Sequence, residues 1–337
     1  MLKKIMAGTA AAIVLLAAPG AFAEKLIKYT HFQPGRLDQP KHAAAMAFKA
    51  HVEGQTGGEV TVEIYPAGQL GNATSVMEGL RLGSIELGVV HDGGISSIYP
   101  GIDLFAMPYL FPSQAVAWKV LDGPFGQEFG QAMLDETGVR VLGFADNGIR
   151  HFTNSKKPIT SPADLEGLKI RVQPSPVFIK LVESLGASAT AIDWAELPAA
   201  LAQGTADGQE NGVTNILAAS LYQSQKHVSL DGHVYSLHAY LMSDAFWQQL
   251  DPEEQQVVAE AAEIAKWIHR GMTTAQDMNA STILGEQGME VTVLSPAQIA
   301  AFREKAQPAV RAWLEERVGK EWVEKLLAAT ADAQQGG

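Results

Sequence analysis

Short apolar or alternating runs, each suited to a strand, recur along the chain and are separated by stretches of helical periodicity. The strand-like runs fall at 26–32, 59–65, 85–91, 139–144, 169–173 and 290–294, and helical patterns cover 40–56, 72–82 and 175–185. Such alternation predicts an α/β architecture with largely parallel sheets covered by helices on both faces. No internal repeat, low-complexity tract or flexible Gly/Ser linker interrupts the pattern. Two domains would therefore be joined closely, by more than one crossing of the chain.

One helix bears on that joining. Asp251 is a good N-cap, Pro252 suits the first helical position, and Glu253 and Glu254 favour the positive end of the helix dipole. Val257, Val258, Ala261, Ile264, Ile268, Met272 and Ala275 then recur at three- and four-residue spacing. The pattern continues to Glu286 and Gln287, with Gly288 as the stop and Gly271 as the place for a kink or break. About 36 helical residues would span roughly 54 Å, longer than one small α/β domain, so the helix is expected to lie across both.

Composition sets the compartment and removes whole classes of function. A chain of 337 residues suggests about two domains, and 47% hydrophobic against 18% charged residues is the balance of a packed protein. Twenty-five Lys and Arg against 37 Asp and Glu give a net charge of −12, the wrong sign for nucleic acid or an anionic membrane. Without cysteine there is no disulfide, thiolate chemistry or cysteine-ligated metal. The first 23 residues form a secretory leader: Lys3 and Lys4, an apolar run over 5–18, and Ala21-Phe22-Ala23 as a small-x-small site cleaved before Glu24. No later segment approaches a charge-free membrane span. The expectation is an exported, acidic, soluble protein.

Enzyme signatures are absent: there is no G-x-S-x-G, H-E-x-x-H, G-x-x-x-x-G-K-[ST] or G-x-G-x-x-G motif. His227, His233 and His238 fall at no ligand spacing and are read as satisfied or surface histidines, so no catalytic residue, cofactor or metal is expected. Strand ends hold the more informative polar groups. His91 and Asp92 follow the 85–90 run, and His31 follows the 26–30 run, where open α/β sheets bind ligands. The same His91-Asp92-Gly93-Gly94 stretch also suits a helix cap or a turn. Arg171 shares a strand face with Lys169 and Gln173, opposite Ile170 and Val172, and Arg150 comes after Asn147-Gly148, in a turn following another strand. That face is either a solvated edge or, if it lines a cleft, a guanidinium fork suited to a carboxylate.

Several of these segments together carry a resemblance. Asn147-Gly148-Ile149-Arg150 with Asn154, Pro162-Ala163-Asp164-Leu165-Glu166-Gly167-Leu168-Lys169-Ile170-Arg171-Val172 and Ala206-Asp207-Gly208-Gln209-Glu210-Asn211 occur in that order. With Tyr65-Pro66-Ala67-Gly68-Gln69-Leu70-Gly71, Met107-Pro108-Tyr109-Leu110-Phe111 and Gly232-His233-Val234-Tyr235-Ser236, they resemble the DctP-type solute-binding proteins of tripartite ATP-independent periplasmic (TRAP) transporters.

The resemblance implies a two-lobe periplasmic-binding-protein-like α/β fold with crossing strands and a long helix spanning both lobes. It places lobe I at 24–148 plus about 237–276, and lobe II at 149–236 plus about 277–337. It implies a non-catalytic, monomeric receptor that captures a small organic anion and passes it to integral membrane permease subunits. Arg171 matches the family's carboxylate-holding arginine, Arg150 a second cleft arginine, Asn211 a ligand-binding asparagine and Trp194 an aromatic that packs on the ligand. His91 and Asp92 fall in the loop that tunes specificity, and His31 is a further candidate contact. An acidic acceptor at Asp92 suits hydroxyl groups, so a sugar acid or hydroxylated aromatic acid is favoured over a C4-dicarboxylate; a sensor component would use the same cleft. The chain departs from the family at Gly212, where proline commonly stands, and at Leu197-Pro198-Ala199-Ala200.

Overall fold

A computed structural model describes residues 25–335; the leader segment lies outside the described residues. Nine strands form one sheet: β1 (Lys25–Thr30), β2 (Val60–Tyr65), β3 (Leu87–His91), β4 (Val139–Asn154), β5 (Lys169–Val172), β6 (Ser188–Ala191), β7 (Gly208–Gly212), β8 (His227–Ser243) and β9 (Glu290–Val293). Their order is β2-β1-β3-β8-β4-β7-β5-β6, with β9 beside β8. Parallel pairs occupy the two flanks (β2-β1-β3 and β7-β5-β6) while β3-β8, β8-β4 and β4-β7 are antiparallel. The sheet is therefore mixed, where the pattern of alternation predicts mostly parallel pairing.

Two long strands make the fold two-lobed. The last part of β8 pairs with β3 and its first part with β9, while β4 pairs along β8 and then continues into β7. Both strands thus run through both lobes. Their register shifts between Asp146 and Gly148 and again between Arg150 and Phe152, at the crossing. Gly148 has φ +107°, and a Cβ there would stand 3.5 Å from the Asp277 carboxylate and from the Gly212 Cα. Extra residues in one strand bend it and concentrate twist, which suits a crossing point. Arg150 accordingly lies within β4, and Asn147-Gly148 is an irregularity inside that strand rather than a turn after it.

The expected helices appear at Pro40–Gln55, Ala73–Leu82 and Pro176–Leu185. The long helix starts as read: Asp251 accepts from the Glu253 and Glu254 N–H groups, both at 2.9 Å, and Glu254 accepts from the Asp251 N–H at 2.7 Å. It runs unbroken through Gly271 but stops at Met278, and a second helix covers Ala280–Glu286. The break falls at Asn279, with φ −105° and ψ 13°, whose side chain donates to the Ala275 carbonyl at 2.8 Å. The 27 residues span about 40 Å. Ala261, Ala262 and Ala265 are fully buried in the core of β1, β2 and the helix Pro40–Gln55, and small residues permit that close packing. No described helix is long and apolar enough to cross a membrane.

Candidate functional site

Arg171, Arg150, Asn211, Trp194 and His91 line one cavity where the lobes meet. Each arrives from a different element. Arg171 stands in β5 on the same face as Lys169, buried where Lys169, at the strand's start, is exposed. Asn211 is next to last in β7, opposite His151 of β4. Gly212 then pairs with Arg150, so tightly that a Cβ on Gly212 would sit 2.6 Å from the Asn147 carbonyl oxygen. That contact leaves no room for a Cβ at this position. The cavity itself measures about 30 Å³, the volume of one or two water molecules. A second cavity of about 220 Å³ shares Phe32, His91 and Trp194 with it.

The two arginines differ electrostatically. Arg150 is buried and already paired: Nε and Nη2 grip the Glu210 carboxylate, the latter at 2.8 Å, and Nη2 also donates to the Glu210 carbonyl at 2.6 Å. Glu210 is held below the usual range: burial opposes its charge, but Arg150 and His233 overcome that. His233 stacks on Phe152 at 4.3 Å and meets Asp231 at 2.9 Å. Burial pushes its pKa down, yet Asp231 and Glu210 carry it up to about 9. Arg171, by contrast, spends Nε and Nη2 on the Ile192 carbonyl, at 2.8 and 2.6 Å, and no carboxylate of a described residue pairs with it. Burial lowers its pKa to about 10. A buried guanidinium without a counter-ion is costly, and an anion docked on its remaining N–H groups offsets that cost.

Asn211 Oδ1 accepts from the Gly212 N–H and from Asn215 Nδ2, at 3.1 and 2.8 Å, which orients its own Nδ2 as a free donor. Trp194 Nε1 donates to the Phe32 carbonyl at 3.2 Å, fixing the indole across the lobes. His91 Nδ1 accepts from the Gly94 N–H at 3.1 Å, as a helix cap does. Burial, then the charges of Lys41, Arg171 and Arg150, push its pKa down to about 3, so it presents a neutral ring with the proton on Nε2.

Asp92 and His31 do not reach the cavity wall. Asp92 lies behind Gln173: Oδ1 accepts from Gln173 Nε2 at 2.7 Å and the Gly93 N–H at 2.8 Å, and Oδ2 accepts from Ser236 Oγ at 2.7 Å. Its acceptors are committed to protein donors, and it ties the two lobes rather than facing a ligand. His31 is buried against His42, ring nitrogens 3.2 Å apart, and accepts from the Gln33 N–H. Burial, with the charges of Lys41 and His42, pushes its pKa down to about 3.

The cavity also holds residues that sequence reasoning passed over. Lys41, Gln33, Asn147 and Asn215 line it, as does Gln173. Lys41 carried a legible signal. It is a cation in the first turn of the helix Pro40–Gln55, at the positive end of the dipole, with no acid in that turn. Burial lowers its pKa to about 7. Two larger grooves lie elsewhere. One, of about 340 Å³, has Lys266 already paired with Glu263 at 2.7 Å. The other, of about 710 Å³, is lined by Asp231 and Asp277 together with Arg303.

Two α/β lobes joined by crossing strands, with a cationic cavity where they meet, define a ligand-binding receptor. The chain belongs to the DctP family, bacterial extracellular solute-binding protein family 7, whose model matches residues 34–317; its relatives are TRAP solute-binding proteins, transport components that bind solutes. It is 33% identical over 251 residues to the 2,3-diketo-L-gulonate-binding periplasmic protein YiaO of Escherichia coli, covering 74% of this chain and 76% of that one. The sugar acid binding protein DctPAm of Advenella mimigardefordensis, solved with galactonate, superposes with a TM-score of 0.87 at 31% identity, covering 92% and 98% of the two chains. A TRAP periplasmic solute-binding protein of Sulfurospirillum deleyianum with bound succinate gives 0.84 at 28% identity, covering 91% and 99%.

Proposed function

We propose that the protein is a periplasmic receptor that captures an organic acid on Arg171 and delivers it to the membrane permease of a TRAP transporter. The observation that carries this reading is Arg171 itself: buried, on the wall of the cavity between the lobes, and paired with no carboxylate. Arg150, neutralised by Glu210, supports the cavity wall and presents its remaining N–H. Asn211 donates from Nδ2, and Trp194 offers a rigid face for the carbon skeleton. A hydroxylated monocarboxylate such as a sugar acid is the favoured ligand, in keeping with galactonate and diketogulonate in relatives. The leader segment is cleaved after Ala23 and the mature monomer works in the periplasm. The lobes, bounded near 148, 236 and 277, hinge at the β4 and β8 crossing, because a cavity of about 30 Å³ cannot load an acid without opening.

A thermal-shift panel tests the assignment. Sugar acids, hydroxylated aromatic acids and C4-dicarboxylates are each added to the mature protein, and a ligand specific to the native state raises the melting temperature in proportion to ln(1 + [L]/Kd). A shift with at least one acid and none with neutral sugars is expected. Shifts with neutral sugars alone would overturn the reading.

A further inference from the structure

Lys41 is a buried ammonium without a counter-ion. Its one hydrogen bond runs from Nζ to Asn215 Oδ1, at 3.4 Å, and it forms no ion pair with a described residue. The titratable groups around it are His42 of its own helix, His31 after β1, His91 at the end of β3, His238 in β8 and His269 in the long helix. Its charge pushes His31, His91, His238 and His269 towards the neutral ring, and Arg150 and Arg171 share its cavity. Two acids close to the cavity are engaged, Asp92 by Ser236 and Gln173, Glu210 by Arg150 and His233.

Gln33 stands beside it. Its Oε1 accepts from the Lys41 N–H at 3.0 Å, which fixes the amide orientation and makes Nε2 a donor. That Nε2 is buried, has no partner, and belongs to a residue of the cavity wall. Of two donors from lobe I, the Gln33 amide therefore lacks an acceptor and the Lys41 ammonium has only one long hydrogen bond and no counter-ion, in the cavity that holds Arg171 of lobe II. Unsatisfied buried donors are rare and costly.

We propose that Lys41 and Gln33 form a second anchoring subsite, which holds an oxygen acceptor at the end of the ligand away from its carboxylate. The proposal rests on the reading of this cavity as an acid-binding site. A hydroxyl, oxo or carboxylate oxygen fits it; the bare chain of a fatty acid does not. It gives each lobe its own grip, Arg171 on the carboxylate and Lys41 with Gln33 on the far end, so only a ligand with both functions bridges the closed state.

The lysine also couples capture to a proton. With the lysine buried in the unliganded cavity its pKa is lowered to about 7, and a docked oxygen favours the ammonium and raises that value. Below pH 7 the lysine is charged before and after binding, and affinity is full. Above it the free form is neutral, binding draws a proton from solvent, and affinity falls as pH rises.

Calorimetry of the mature protein tests this with D-galactonate, succinate and butyrate at pH 8, in two buffers of different ionisation enthalpy. For whichever oxygenated acid binds, the wild type should take up close to one proton per ligand and prefer that acid over butyrate. Lys41→Met should lose about 10- to 100-fold in affinity for it, change little towards butyrate, and take up no proton. Gln33→Glu keeps the acceptor for the Lys41 N–H and gives the ammonium a counter-ion, so proton uptake should vanish and affinity drop. Equal losses by Lys41→Met across the oxygenated acid and butyrate, or undiminished proton uptake, would overturn the subsite while leaving the Arg171 reading intact. Failure of the wild type to bind any of the three acids would overturn both.

Discussion

Arg150 of β4 and Arg171 of β5 flank β7 and reach one cavity, and their partners divide their labour. Arg150 belongs to a buried quartet with Glu210, His233 and Asp231, two cations facing two anions, whereas Arg171 has only a backbone carbonyl. The quartet has a pH signature. The His233 pKa rises to about 9 in the folded protein, from about 6.5 unfolded. Its stabilisation is therefore full below about pH 6.5 and is lost as pH rises through about 9. In urea denaturation, the penalty of His233→Gln should be largest near pH 6 and shrink steadily towards pH 9.5. A penalty that is flat or grows with pH would contradict the pairing. At this scale the sequence was half legible. The alternation over 169–173 set Arg171 on one strand face with Lys169 and Gln173, whereas Asn211 came from the family resemblance alone. For Asp92, nothing local reveals that Ser236 and Gln173, distant in sequence, occupy its oxygens. Lys41 was missed although its place at a helix N-terminus without an acid was a visible anomaly.

Elements were legible where one face is apolar and the other wet. The six predicted strands and three predicted helices all appear, most within a residue or two of the expected limits; β4 runs ten residues past its predicted end. The strands β6, β7 and β8 were not foreseen. From His233 to Ser243 every residue of β8 is buried, with Ser236 and His233 satisfied inside by hydrogen bonds, so no alternation survives. Gly208–Gly212 is wholly buried yet holds no apolar side chain, and two of its residues are glycines with low strand propensity. Only pairing with β4 and β5 explains it. Gly212→Ala tests that pairing, because its Cβ would meet the Asn147 carbonyl at 2.6 Å. The strands must part at the cavity wall, at a cost of about 1–3 kcal/mol. Chemical denaturation should show that loss, with acid affinity reduced as well. A neutral substitution would mean that the crossing is looser than described.

At the scale of the molecule, the long helix was correctly placed across the lobes but overextended. Its end depends on Asp277, whose carboxylate accepts from Gln114 Nε2 at 2.9 Å and the Ile149 N–H at 3.3 Å. That couples the helix end to the irregular stretch of β4, and periodicity carries no trace of such a tertiary contact. The same crossing sets the lobes around the cavity, where Trp194 to Phe32 and Gln173 to Asp92 bridge them. A cavity between the lobes whose Arg171 guanidinium is paired with no carboxylate of a described residue is built to be completed by an anion, and that is the account's central claim. Calorimetry of Arg171→Ala against the wild type, with D-galactonate or succinate, whichever binds the wild type more tightly, tests it most directly. Removing the guanidinium leaves a buried carboxylate unpaired, so affinity should fall by about two to four decades, from roughly 3–5 kcal/mol. Near-native affinity in the alanine variant would contradict the account.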